Sequence, residues 1–175
     1  MNFKEANVNR YKAVFLGAAW IVTAGYQVLN GQSKQAPPAA AAAASKEVIE
    51  RGRYVVEIGG CNDCHTAGYA VNDGKAAEAD RLKGDVLGFR GGWGTTYPTN
   101  LRLSIGKMTE EGWLKYAKAL KTRPPMPWFN VRAMTDADLK AVYQYIKQMP
   151  GAAGTAAPAY LAPDKTPKPP FVQYP

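Results

Sequence analysis

Three stretches of the chain place apolar residues at helical spacing, and the long stretches between them have no such period. Val48, Ile49, Gly52, Val55 and Val56 recur behind Ser45, a residue suited to a helix N-cap, and Gly59-Gly60 ends the pattern. Glu47 and Glu50 lie near the positive end of this helix. Thr109 caps a second helix that runs to about Lys121 and carries Trp113, Leu114, Tyr116, Ala117 and Leu120. The third opens on Thr135-x-x-Asp138, a capping box with Asp as the acidic partner. It carries Leu139, Val142, Tyr143 and Ile146 at i, i+3, i+4 and i+7 and stops near Pro150-Gly151. Gly52 weakens the first helix, a cost offset where another helix must approach closely.

The remaining segments divide the chain. Residues 1–12 are short and basic and residues 13–29 are apolar apart from Thr23, Tyr26 and Gln27, the composition of an export signal. Val22 and Ala24 fit a cleavage site before Gly25, whereas the 19 residues from Tyr11 to Leu29 approach the length of a membrane span. Residues 1–29 are therefore a signal peptide or a membrane anchor. Residues 30–44, rich in Gln, Pro and Ala and without an aromatic residue, read as a flexible tether. The folded domain is expected over residues 45–150, and residues 151–175 read as an extended tail, with six prolines after position 151. Within the domain, residues 67–105 are glycine-rich and long for a loop unless they serve a function such as wrapping a flat cofactor. Arg123-Pro124-Pro125-Met126-Pro127-Trp128 cannot be helical throughout.

A length of 175 residues fits one domain with appendages. The net charge is +8; Lys4, Arg10, Lys12 and Lys34 against Glu5 put +3 of it in residues 1–44. The positive groups are scattered and form no basic-aromatic motif, which argues against nucleic acid and for an acidic protein partner. Lys107, Lys115, Lys118, Lys121, Arg123 and Arg132 fall in the half of the domain that contains Met126 and form a candidate docking surface.

The chemistry is concentrated in Cys61-Asn62-Asp63-Cys64-His65. C-x-x-C-H is the attachment signature of a c-type haem, in which two thiols add to the porphyrin vinyls and the imidazole binds the iron. The chain has two cysteines and one histidine, all in this motif. A zinc site would need two further ligands, a thioredoxin-like pair would lie near a βαβ pattern, and a disulfide here would close too small a loop to stabilise much. The cofactor expected is one covalent haem c. The sixth iron ligand cannot be a second histidine. Of five methionines, Met1 lies outside the domain and Met108 and Met149 fit packing roles. Met126, fixed between two prolines, is the better candidate; Met134, next to the cap Thr135, is either a rival ligand or a hydrophobic staple. Trp93, Tyr97, Trp128 and Phe129 are candidate haem-packing aromatics.

These residues resemble class I c-type cytochromes, and more narrowly the single-haem cytochrome modules associated with bacterial periplasmic dehydrogenases. The likeness covers about residues 46–150. It rests on Gly52 and Tyr54 ahead of the haem motif, on Tyr97-Pro98-Thr99-Asn100-Leu101, on Pro125-Met126-Pro127-Trp128, on Thr135-Asp136-x-Asp138-Leu139 and on Tyr143-x-Tyr145-Ile146. The resemblance implies an all-α globule around one haem, with first and last helices crossing near Gly52 and Tyr145. It also implies Met126 as distal ligand and loop donors near Asn100 bonding the haem propionates. The expected role is electron transfer, without catalysis of its own, between a dehydrogenase or respiratory complex and an acceptor. The expected location is the periplasmic side of a bacterial inner membrane. The rival reading is a haem enzyme or ligand sensor with an open or displaceable sixth site, against which stands the lack of a distal histidine for acid-base work.

Overall fold

The computed structural model describes residues 44–175; the apolar segment 1–29 and the tether up to residue 43 lie outside the described residues. The first and last long helices make the frame. Helix α1 (Lys46–Ile58) starts on Ser45, whose Oγ accepts from the Val48 amide at 3.4 Å. Helix α6 (Asp136–Gln148) starts on Thr135, whose Oγ1 accepts from the Asp138 amide at 3.1 Å. The two cross at Gly52, where a Cβ would stand 2.0 Å from the Ala141 carbonyl oxygen and 2.8 Å from the Tyr145 Cβ. Close approach of a helix at Gly52 and Tyr145 is therefore what the structure shows. Arg51 Nε donates to Asp138 Oδ1 at 2.8 Å and ties the two helices at their exposed side.

Around this cross lie short helices: α2 (Cys61–His65), α3 (Leu101–Gly106), α4 (Glu110–Ala119) and α5 (Trp128–Ala133). Leu82, Ile105, Trp113, Ala117, Leu139, Val142 and Ile146 form the core with Val55 and Val56 of α1. Met149 is buried in it and Met108 is packed against it, the packing roles read from the sequence. Trp113 Nε1 donates to the Leu139 carbonyl at 2.8 Å, so the largest ring of α4 is tied to α6 without an orphaned donor.

The all-α expectation is corrected by a small sheet. Strands β1 (Gly88–Gly91) and β2 (Gly94–Thr96) pair antiparallel, and β3 (Phe171–Gln173) pairs parallel to β1, in the order β2-β1-β3. The proline-rich tail is thus part of the fold along its length. Arg102 is buried and donates to the carbonyls of Ala79, Met149, Pro150 and Gly151, fixing where the tail leaves α6. Asn100 Nδ2 donates to the Ala153 and Thr155 carbonyls at 2.7 and 3.0 Å. Leu161 then forms a two-bond bridge with Thr95. Among the described residues, no helix is long and apolar enough to cross a membrane.

Candidate haem site

The cysteine motif is a helix of its own, held from behind. Asn62 and Thr66 are fully buried; Thr66 Oγ1 donates to Asn62 Oδ1 at 2.8 Å and accepts from the Leu82 amide at 2.9 Å. The Gly84 amide donates to the His65 carbonyl at 2.8 Å. These bonds lock α2 onto the 82–84 segment and leave Cys61, Cys64 and His65 facing the other way, into a cavity of about 490 Å³. A volume of that order suits a large ligand.

His65 is buried, and its Nδ1 lies 2.7 Å from the Thr99 carbonyl oxygen. A carbonyl only accepts, so Nδ1 carries the proton and Nε2 keeps its lone pair, the tautomer that binds a metal. Burial holds the imidazole pKa below its ordinary value, partly opposed by the bond to Thr99, and so favours the neutral ring. Both thiols are free. Burial, reinforced by the Asp63 carboxylate and by Cys64, pushes the Cys61 thiol up to about 11. Cys64 is raised by burial, then by Asp63 and Asp85. Neutral, sheltered thiols of this kind do not suit a reactive redox pair, which depends on a stabilised thiolate.

Met126 lines the same cavity between Pro125 and Pro127. Its segment is fixed from both sides: Thr96 Oγ1 of β2 donates to the Pro124 carbonyl at 2.8 Å, and the Trp128 amide donates to the Met126 carbonyl at 2.9 Å. Met134 also reaches the cavity, with its methyl 3.7 Å from where a Gly59 Cβ would stand, beside Cys61. Its neighbours are core residues, and its carbonyl accepts from Lys118 Nζ at 2.6 Å. Of the proposed aromatics, Tyr97 is in the cavity wall. Trp128 and Phe129 stack edge to face on each other at 5.8 Å with Arg132 over Trp128, and Trp93 packs on Tyr174; these three are not in the wall.

Asn100 is placed next to the site but is spent elsewhere. Its Oδ1 caps α3 by accepting from the Leu103 amide at 3.0 Å, and both hydrogens of its amide go to the tail. The Asn100 side chain therefore keeps no donor for a propionate. The wall also contains residues to which sequence reasoning gave no part in the site: Phe89, Trp113, Tyr116 and, from the tail, Pro158 and Tyr160. The helical ones were legible only as core positions, and a tyrosine in a proline-rich tail carries no signal of its destination.

Two thiols, an imidazole with a free Nε2 and a thioether around one largely apolar cavity fit a covalently bound haem by the chemistry of the donor set. Among curated proteins, the chain is similar to the cytochrome c subunits of alcohol dehydrogenase (quinone) from Gluconacetobacter polyoxogenes and Komagataeibacter europaeus. Each is 29% identical over 150 residues, covering 79% of this chain and 27% of the relative. The chain spans about a quarter of the length of these relatives. The likeness supports a cytochrome c-like module. No family model matches the chain, and no solved structure matches it.

Proposed function

We propose that residues 45–150 form a single-haem electron-transfer module, with haem c bound through Cys61 and Cys64, His65 as proximal ligand and Met126 as distal ligand. The observation that carries the reading is that one cavity gathers these four side chains while the His65 Nδ1–H is taken by Thr99. The haem, when bound, supplies the one-electron chemistry. The protein's own part is to present a neutral imidazole, to hold a thioether in a rigid segment and to exclude water with Phe89, Tyr97, Trp113 and Ile146. A thioether ligand favours reduced iron, and burial acts on the potential as well.

The partner we assign is a dehydrogenase, the relatives being subunits of one. Docking would use cations near the Met126 side. Of the six named above, Lys118 is paired with Asp136 at 3.1 Å, Arg123 lies over Tyr160 and Arg132 over Trp128. Among the described residues no carboxylate is in ion-pair contact with Lys107, Lys115 or Lys121, so these three are the charges an acidic surface would meet. Residues 1–29 export the chain to the periplasmic side of a bacterial inner membrane, as a cleaved signal or a retained anchor.

Expression of the full chain in cells competent for cytochrome maturation tests the core of this reading. Acid-acetone extraction should leave the haem on the polypeptide, and mass spectrometry should show one haem added. Cys61→Ala with Cys64→Ala should abolish both results. A stably folded, haem-free product from such cells would overturn the proposal.

A further inference from the structure

We infer that Tyr160 is a positioning residue for the distal ligand: it clamps the segment that carries Met126 through Arg123. The inference rests on the Met126 ligation proposed above. The Arg123 guanidinium lies 3.8 Å from the centre of the Tyr160 ring, the shortest cation-to-ring distance among the described residues. Arg123 begins the stretch Arg123-Pro124-Pro125-Met126, and Arg123, Pro125, Met126 and Tyr160 all line the cavity. The ring is itself fixed. Tyr160 Oη donates to the Trp93 carbonyl at 2.9 Å, and the next residue, Leu161, exchanges backbone bonds of 2.8 and 3.0 Å with Thr95.

The tail can come this close because position 94 is glycine. Gly94 has φ +97°, and a Cβ there would stand 2.3 Å from the Leu161 carbonyl oxygen and 2.8 Å from the Tyr160 ring. Thr96, two residues on, makes the other attachment of the methionine segment, to Pro124. Both attachments therefore go back to strand β2. One is direct through Thr96; the other runs through the tail. Without the second, the segment is held at Pro124 and at Trp128 but is free to swing at its Arg123 end. A thioether is a weak, exchangeable ligand, so the time Met126 spends on the iron depends on how tightly this segment is held. The clamp has no part in holding His65, whose contacts are with Thr99 and the 82–84 segment.

The test uses the full-length, haem-loaded chain in its oxidised form, with cyanide as the probe. At saturating cyanide the binding rate reports how often the sulfur leaves the iron. A cation over an exposed aromatic ring is lost in Tyr160→Ala and in Arg123→Ala, and each should raise that rate by about threefold to fivefold. The double variant should be no faster than either single one. Tyr160→Phe keeps the ring and should stay within about twofold of the parent. Where Tyr160→Ala does not mature, Arg123→Ala, which removes an exposed side chain, still decides the matter.

A purely structural contact would lower the unfolding temperature without altering the cyanide-limited rate, and that result overturns the inference, as do additive effects in the double variant. Met126→Ala separates the two levels. If it keeps the sulfur-to-iron charge-transfer band, the ligand assignment and the clamp fall together. If it loses the band while the Tyr160 and Arg123 variants bind cyanide at the parent rate, only the clamp falls.

Discussion

Gly52→Ala should destabilise the protein although alanine is the better helix former. The new Cβ would be placed 2.0 Å from the Ala141 carbonyl oxygen, a backbone atom of α6 that cannot rotate away. An ordinary carbon-to-oxygen contact is about 3.3 Å, so α1 and α6 must separate by about 1 Å. A gap of that size forfeits about a quarter to a half of the contact energy along the seam. Val55 and Val56 on one side and Leu139, Val142, Tyr145 and Ile146 on the other are all buried there. If the equivalent of three such side chains is affected, at about 2 kcal/mol each, the loss is about 1.5–3 kcal/mol, to which overpacking strain adds about 1–2 kcal/mol. The gain in helix propensity returns about 1 kcal/mol. The net expectation is a loss of about 1.5–4 kcal/mol, read as a fall of about 5–12 °C in Tm. Urea unfolding of the haem-loaded chain, followed by far-UV circular dichroism and by the haem absorbance, measures it. Because α1 ends three residues before Cys61, both probes should shift together. A Gly52→Ala variant as stable as the parent would refute the reasoning, since the helices would then not meet at backbone distance.

Met126→Ala should remove the sulfur-to-iron band, lower the midpoint potential and admit carbon monoxide; Met134→Ala should keep the band and cost about 2–3 kcal/mol in packing. Exchanged phenotypes would reassign the ligand. Asn100→Ala should lower stability by about 2–3 kcal/mol, through one lost helix cap and two lost bonds to the tail, with the potential unchanged, as checked by denaturant titration and voltammetry. Arg51 hydrogen-bonding, and then Thr135, hold the Asp138 carboxyl below its ordinary value of 3.8, so the stability this carboxylate contributes is present above that pH and is lost as pH falls through and below it. Asp138→Asn should accordingly flatten the acid limb of a stability profile below about pH 4 and leave the neutral limb's slope alone. Lys115→Glu with Lys121→Glu should slow reduction by a partner dehydrogenase about threefold to tenfold at low salt, and the difference should vanish as salt rises; a rate indifferent to both charge and salt would mean these lysines face only solvent.

What could be read in advance was what is local. Ser45, Thr109 and Thr135 were expected as caps, and each accepts the amide bond a cap should accept. The first helix stops at Gly59 and the last before Pro150, because those endings are written in the residues themselves. Gly52 was legible as a crossing point for the same reason: a glycine inside an amphipathic helix calls for a neighbour. The sheet was not legible. Its strands are three or four residues long, too short to show a period of two, and Gly88, Gly91 and Gly94 hide any propensity. The partner of β1 comes from a segment that composition marks as irregular. Likewise Asn100 and Trp128 are sequence neighbours of cavity-lining residues, but whether a side chain turns toward a cavity or toward a carbonyl 53 residues away is decided by tertiary geometry.

The closing strand has a consequence for the order of events during synthesis. Gln173 meets Arg90 across 83 residues of chain, and contacts of that span form slowly because a large loop has to close first. Chains are made from the N-terminal end, so Cys61, Cys64 and His65 emerge while Pro158 and Tyr160 are still to be added. For that interval the cavity has its thiol face and lacks one wall. On the haem-binding reading proposed above, a rigid, flat porphyrin would enter from the side at this stage. Once residues 158–173 seat beside β1 and β2, the same opening is narrowed. Late pairing of residues 171–173 would thus set a window for loading the proposed haem.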